Sequence, residues 1–590
     1  MSSSHRFQEV RDVALPKAAV WSVLCHTDRI NRHIGLASVT YGALESNETG
    51  DFRTAKAKMM GVVLEWREYP FQWEREGRYS VIRVYDRGPI ARFEGGIELE
   101  ETGPNATRVT FFADIVPRGV SGRALVPRLA RQSLAKTVEL SNRLFSCDAP
   151  LRMDSPAPNR GDVDEALLNR LTTELKRHRV QSEVVDELAK LLRTGGDDEV
   201  TSLRPFEWAQ GAGIDHIEAL RACLHAVKVG LLNQRWVMMC PNCRVAKEEV
   251  ATLGEVKSQV HCDLCGVNYN LNFDRYVELR FAVQPAVRRA QSDVYCLGGP
   301  FRAPHILLQR QILPDERAFI PRLLLMEPMR LRTLKWNQSV QVAPQNPAPR
   351  EVVWNGSEWN HPMARGEFEA INDGQEPIIV VLEREEWDNL AVTAARVTAM
   401  QEFRALFSSE VLAPGREMAV ENATLLFSDL SNSTALYERI GDAPAFARVG
   451  RHFDFLQEHI GQGGGAVVKT MGDAVMAVFH TPADGVRAAL ALQRAFANSN
   501  EGEVALKIGL HFGPTLAVNS NDRLDYFGRT VNISARVSAL AKGGEILFTD
   551  ALWQHEEVRD AVKRSGAHFS RYQTRLRGVE EEFNLVRVRF

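Results

Sequence analysis

The sequence has no run of about 18 uncharged apolar residues, the length a membrane-spanning helix needs. Its opening, Met1-Ser-Ser-Ser-His5, lacks the apolar centre of a secretory signal, so the expectation is a soluble, cytoplasmic protein with no membrane partner. Cysteine is scarce: eight in 590 residues cannot build a disulfide scaffold, which fits a reducing compartment. Charge of one sign is not in excess either. Against 72 Lys and Arg stand 75 Asp and Glu, so the chain as a whole is not a strongly basic binder and nucleic acid is not an expected partner. Glycine and proline, 41 and 26 residues, are too few for a collagenous or disordered chain. The remainder, 44% apolar and 25% charged residues, is globular composition, and the length corresponds to about four domains.

Residues 1–147 read as strand (Phe7 to Leu15), helix (Pro16 to Ile34), several strands, and a long amphipathic helix from Gly122 to Phe145 with Leu125, Leu129, Leu134 and Val138 among its apolar positions. This order, with LPKAAVWSVL at 15–24, resembles the helix-grip domains of the START and polyketide-cyclase superfamily. The resemblance implies a cavity for a small apolar ligand; a filled core used for docking or dimerisation is the alternative. Residues 148–161, rich in proline, form a linker.

Residues 162–275 carry helical patterns and then Cys240-Pro-Asn-Cys243, 18 residues, and Cys262-Asp-Leu-Cys265. Two such turns supply four thiolates for one tetrahedral Zn²⁺. With all four positions taken by sulfur there is no place for a reacting water, so the zinc is structural. Cys25, Cys147, Cys223 and Cys296 are scattered and read as small core residues. Residues 276–383 are strand-rich, with Asn355-Gly356 predicting a tight type I′ hairpin turn. From 384 to 415 the period becomes helical, with Leu390, Ala394, Val397, Met400, Phe403 and Phe407 three or four apart. One continuous helix there would couple the upstream regions to residues 416–590.

Residues 416–590 alternate strands and helices in an order that fits a ferredoxin-like α+β sheet, making the whole chain a multidomain α+β protein. Asp429 ends the apolar strand LLFSDL, and Asp473 occupies the Gly-Asp turn of VVKTMGDAVMAVF. Two carboxylates brought together beside a helix start after Ser431-Asn432-Ser433 suit a nucleoside triphosphate with divalent cations. Asn532 and Arg536, four apart on VNISARVSAL, share a helix face and can position a ribose and offset phosphoryl charge.

FSDLSNST (427–434), VVKTMGDAVMAVF (467–479), GLHFGP (509–514) and DYFGRTVNISAR (525–536) together resemble the class III nucleotide cyclase catalytic domain. The resemblance implies that Asp429 and Asp473, with the Leu430 carbonyl, hold two Mg²⁺ or Mn²⁺, and that Asn532 and Arg536 serve the transition state. It places Ser433 and Thr434 against substrate, Lys469 and Asp525 where the purine is selected, and Arg577 at the triphosphate. A Lys ammonium and an Asp carboxylate complement adenine N1 and N6, whereas guanine presents the opposite pattern. The implied activity is conversion of ATP to 3′,5′-cyclic AMP and pyrophosphate at sites shared by a homodimer. Guanylate cyclase, an inactive scaffold and a zinc-ribbon transcription regulator are the alternatives. RWVMMCPNC, CLGGPFRAPHILLQRQIL and QEFRALFSSEVLAPG resemble an uncharacterised region upstream of some bacterial cyclases.

Overall fold

The computed structural model describes residues 4–59, 62–145, 161–262, 267–291, 293–321, 328–334, 336, 338–343, 349–365, 367–431, 438, 441–498 and 504–590. The expectations for Cys147, the linker 148–160, Cys265, Ser433 and Thr434 lie outside these residues. No described helix is long and apolar enough to cross a membrane.

The chain begins with strand β1 (His5–Val13), helices Lys17–Leu24 and Thr27–His33, and strands β2 (Thr40–Asn47), β3 (Gly50–Met59), β4 (Val62–Glu68), β5 (Gln72–Glu74), β6 (Arg78–Tyr85), β7 (Ile90–Gly103) and β8 (Ala106–Pro117). All pair antiparallel, and β1 returns to lie beside β8. Helix Gly119–Phe145 packs Val126, Ala130 and Val138 inward, while Leu125 and Leu129 stay exposed, so its apolar stripe is narrower than the sequence pattern suggests. Trp21, Ile97, Val109 and Phe111 fill the core beneath it.

This sheet does not end at β5. Trp73 and Glu74 pair with Gln309 and Leu308 of β14 (Ile306–Ile312), and the Trp73 indole donates to the Ile306 carbonyl at 3.2 Å. A short strand that would otherwise leave its ladder groups open is thereby paired. The sheet continues through β21 (Ile378–Arg384), β16 (Met329–Thr333), β17 (Ser339–Ala343) and β19 (Met363–Arg365). The strand β18 (Glu351–Trp354) pairs in parallel with β20 (Phe368–Asn372), whose other neighbour is β15 (Arg317–Ile320). It also turns back on the residues that follow it, with Trp354 bridged to Trp359 and Asn360 N–H on the Val353 carbonyl at 2.9 Å. The tight type I′ hairpin expected at Asn355-Gly356 does not form. Of the two residues Gly356 alone has positive φ, and the Asn355 side chain accepts from the backbone N–H of Ser357 and Glu358 in a wider loop.

Helices Glu165–Leu175, Ser182–Thr194, Pro205–Ala212 and His216–Lys228 precede β9 (Leu232–Met239), β10 (Ala246–Val250), β11 (Gln259–Cys262), β12 (Val267–Asn270) and β13 (Val277–Val283). Asp164 and Asp215 cap two of these helices by accepting from free N–H groups of their first turns. β9 is central, between β10 and β13, and the Cys240–Cys243 turn joins β9 to β10.

The C-terminal sheet runs in the order β23 (Gly465–Met471), β24 (Ala474–Phe479), β22 (Glu417–Ser431), β25 (Ala505–Ser520), β27 (Glu545–Thr549), β29 (Glu582–Arg589), β28 (His568–Arg575), with β26 (Arg523–Phe527) also on β25. Alternation along β22 sends Leu426 into a core with Leu456, Ile460 and Val486 of the helices Asp442–Gln462 and Pro482–Asn498. It sends Leu425 and Phe427 to the opposite face. That face, with Met476, Val478 and Tyr526, shares a continuous core with Trp236, Phe273 and Phe403 of the upstream region.

The segment expected as one helix is two short ones, Ala394–Thr398 and Gln401–Leu406, separated by extended backbone at Met400. Its apolar residues do not form a stripe facing one partner, because it lies between two. Ala394, Val397 and Phe403 are buried in the shared core. Glu402 binds Arg221 at 2.7 Å and His225 at 2.8 Å on the upstream side. On the other side the Gln401 side-chain oxygen accepts from Val467 N–H at 2.8 Å, and Arg404 donates to the Leu524 carbonyl at 2.8 Å and the Thr398 carbonyl at 2.7 Å. Arg404→Ala leaves both carbonyls without this donor and should lower stability by about 1–3 kcal/mol, read as a lower urea midpoint with unchanged slope. An unchanged midpoint would show that these bonds contribute nothing net.

Candidate active site

Sheet register brings the two aspartates to one end of the sheet. The β22–β24 ladder closes at Ser428↔Val475, so Asp429 and Ala474 are the next residues on neighbouring strands, and Asp473 precedes Ala474. Met471↔Ala474 is the last pair of the β23–β24 hairpin, leaving Gly472-Asp473 as a two-residue turn in which Gly472 takes φ +64°. That conformation favours glycine and holds the aspartate at the tip. One carboxylate oxygen of Asp473, Oδ2, is buried and has no hydrogen-bond partner among the described residues. A buried carboxylate oxygen without a donor is costly, and a hard divalent cation is the partner its chemistry suits. Asp429 faces Lys507 across the β22–β25 ladder and forms an ion pair with it. The Leu430 side chain points to the helix-covered core with Leu456 and Ile460.

Lys469 and Asp525 meet: Nζ lies 2.7 Å from Oδ2, with Asp525 the more buried partner. Asp525 Oδ1 also accepts from Tyr526 N–H at 2.8 Å, which fixes the carboxylate plane. A register shift between Val467 and Lys469 re-aims the lysine on its strand. Asp525 lies opposite Val518, near one end of β25, whereas Asp429 lies opposite Lys507, near the other.

Helix Arg529–Leu540 carries Asn532, exposed by one face of the first turn, and Arg536, half-buried, on adjacent turns. It sits tightly on the sheet: the Ser534 hydroxyl donates to the Leu425 carbonyl at 2.7 Å, and a Cβ at Gly509 would come within 2.1 Å of the Ser538 nitrogen. The first glycine of GLHFGP therefore sets helix-to-strand distance. In the same motif His511 shares a hydrogen bond with Thr549 Oγ1 at 2.7 Å; burial, helped by Arg529, pushes its pKa down to about 4, so it is neutral at neutral pH. The Arg536 guanidinium donates to the Arg577 carbonyl, and a Cβ at Gly578 would stand 3.1 Å from its Nη1. The structure joins Arg577 to Arg536 through its backbone, with the Arg577 side chain exposed. Gly578, which the sequence motifs do not single out, makes room for Arg536; the only signal for it was its place in LRG.

A second cluster lies in the upstream region. The sulfurs of Cys240, Cys243 and Cys262 are buried and all within 4.8 Å of one another, with Cys243 and Cys262 3.7 Å apart. That is far beyond a disulfide bond, and close to the edge of about 3.8 Å expected for thiolates 2.3 Å from a shared tetrahedral ion. Backbone support surrounds the turn: Asn242 N–H donates to Cys240 Sγ at 3.4 Å, and the Asn242 carbonyl accepts from Arg332 at 2.9 Å. His305 Nε2 lies 3.2 Å from the same carbonyl, and Cys296 accepts from the Thr27 hydroxyl, so these two belong to separate networks.

With this geometry established, comparison with known proteins bears on its reading. Residues 416–578 match the adenylate and guanylate cyclase catalytic domain family, and residues 167–295 match a family of unknown function, DUF5939. An adenylate cyclase from Lachancea kluyveri is 32% identical over 168 residues, covering 24% of this chain and 9% of that protein. One from Glutamicibacter nicotianae is 36% identical over 136 residues, covering 23% and 32%. A solved structure of adenylate cyclases from Trypanosoma brucei in their monomeric state is 24% identical, covering 29% of this chain and 88% of that one, with a TM-score of 0.26. The chain thus spans less than a third of the length of these curated relatives.

Proposed function

We propose that the protein is a class III adenylate cyclase that converts ATP to 3′,5′-cyclic AMP and pyrophosphate. The observation that carries this reading is the convergence of Asp429 and Asp473 at one sheet end, with a buried carboxylate oxygen on Asp473 that has no partner among the described residues. The family match over 416–578 and the identity to adenylate cyclases support it.

Asp429, Asp473 and the Leu430 carbonyl would hold two Mg²⁺ or Mn²⁺; such ions, when bound, lower the pKa of the ribose 3′-hydroxyl and offset charge on the phosphates. Attack of that oxygen on the α-phosphorus forms the 3′ P–O bond as the bond from the α-phosphorus to the α,β-bridging oxygen breaks; pyrophosphate leaves with that oxygen, and the hydroxyl proton is released to water. Arg536 offsets the charge that grows on the α-phosphoryl group, and Asn532 orients the ribose. Arg577, Ser433 and Thr434 bind the triphosphate. Lys469 donates to adenine N1 and Asp525 accepts from the N6 amino group. Placement of Asp525 and Asp429 toward opposite ends of β25 supports a site completed by a second copy of the chain, each copy contributing the cation ligands of one site and the purine and transition-state residues of the other.

The upstream regions regulate this site. The segment Gln401–Leu406 bonds directly to β23, which carries Lys469, and to Leu524, the residue before Asp525. The three clustered thiols with Cys265 would bind one structural Zn²⁺ per chain. The order of strands and helices in the N-terminal unit supports reading it as a helix-grip domain.

Purified chain incubated with ATP or GTP and either Mg²⁺ or Mn²⁺ should release cyclic AMP, with GTP turnover about 100-fold lower or less. Preferential cyclic GMP would make it a guanylate cyclase, and no product from folded protein would leave a scaffold. Asp473→Ala should reduce turnover by about 10³-fold or more with the circular dichroism spectrum retained; retained turnover would refute its role.

Asp429→Ala and Arg536→Ala chains, each inactive alone, should regain about a quarter of wild-type activity when mixed in equal amounts, since half the dimers are mixed and each of those has one intact site. No recovery, with exchange verified by tagged chains, would exclude shared sites.

Elemental analysis should find one zinc per chain in wild type and in Asp473→Ala, and much less in Cys262→Ser. Equal zinc in all three would refute the thiol site.

A further inference from the structure

A cavity of about 110 Å³ lies where the N-terminal unit meets the Cys240–Cys243 turn and the segment around residues 297–309. Its walls include Tyr41, Phe71 and Trp73 of the N-terminal unit, Val245 beside the cysteine turn, and Ala303, Ile306 and Leu334. None of its described lining comes from the long helix Gly119–Phe145, although Phe71, Trp73, Ala303 and Ile306 also belong to the core that this helix covers with Val138 and Leu140.

The polar groups on its walls are already engaged. Glu68 accepts from the Tyr41 hydroxyl at 2.9 Å, the Trp66 indole at 3.2 Å and Arg83 at 2.8 Å. The Gln309 amide donates to the Phe71 carbonyl at 2.6 Å, Arg53 to the Gly42 carbonyl at 2.8 Å, and Arg302 faces Asp28 at 3.6 Å. A polar ligand would have to break these bonds to be recognised, whereas an apolar one would not. The aromatic walls favour a flat molecule. An apolar cavity of about 150 Å³ holds one benzene, so a space of about 110 Å³ takes at most a single ring between its walls.

We propose that this cavity binds a small, uncharged, single-ring apolar molecule, which would touch the N-terminal strands and the cysteine turn together. The walls that meet it are mostly apolar and come from both units, so binding ties the two together without a new hydrogen bond.

The full chain is titrated with benzene by calorimetry and by thermal unfolding, with indole as a larger probe. Saturable benzene binding and a saturable rise in unfolding temperature are expected, since a ligand that binds only the folded state stabilises it. Ala303→Phe, which fills the cavity, should abolish both. Leu334→Ala, which enlarges it, should make indole a saturable ligand where wild type gives none. A response to benzene that grows linearly without saturation in wild type overturns the proposal, as does unchanged binding in folded Ala303→Phe. If Ala303→Phe does not fold, Leu334→Ala decides: a preference between the two probes identical to wild type also overturns it.

Discussion

The second face of the C-terminal sheet governs the architecture. A sheet whose residues alternate between two apolar faces must cover both. Helices Asp442–Gln462 and Pro482–Asn498 cover one, through Leu426, Leu456 and Val486. The other, built from Leu425, Phe427, Met476 and Tyr526, is covered by residues that precede the sheet in sequence, Trp236 and Phe403 among them. Burial of these side chains on both sides makes a single core of what composition would divide into separate domains. Backbone bonds reinforce it, with Phe273 N–H on the Ala419 carbonyl at 3.0 Å and Ala395 N–H on the Phe273 carbonyl at 2.9 Å. The strands that carry Lys469 and Asp525 are thus packed and bonded directly to the region that precedes them.

Electrostatics divide by location. At the sheet end, the ion pair of Asp429 with Lys507 leaves Asp473 on the side away from that lysine. Deeper in the molecule, opposite charges are packed against one another. Burial opposes ionisation of Glu383, yet Arg332 and Arg330 hold its carboxyl below the usual range. The neighbouring His305 is pushed down to about 3, first by burial and then by Arg244. This cluster touches the Asn242 carbonyl, and Arg244 donates to the Arg384 carbonyl at 2.6 Å, so the cysteine turn is bonded firmly to the end of β21. Buried charges left without such partners would cost several kcal/mol each.

Much of the site was legible because its motifs are local. LLFSDL and VVKTMGDAVMAVF each specify a strand and a turn, and Gly472 readily takes the positive φ that the tight reversal before Asp473 needs. Lys469 and Asp525, proposed above to read one edge of the base, form an ion pair in the structure. Gly509 and Gly578 carry no such local signal, because a glycine's purpose in close packing depends on what approaches it from elsewhere in the chain. The helical period of 384–415 misled for a related reason: spacing of three and four records which residues are buried, not whether one partner or two buries them.

The sequence alone determined the two carboxylates on strand and turn, the face shared by Asn532 and Arg536, and the pairing of Cys240 with Cys243 in one turn, since each follows from spacing over a few residues. Tertiary structure decided that β5 joins β14 in one sheet, that two short helices replace a long one, and that the upstream and C-terminal regions share a core. These depend on contacts between residues far apart in the chain, where burial of apolar surface and pairing of open strand edges choose among partners that no short stretch of sequence can name.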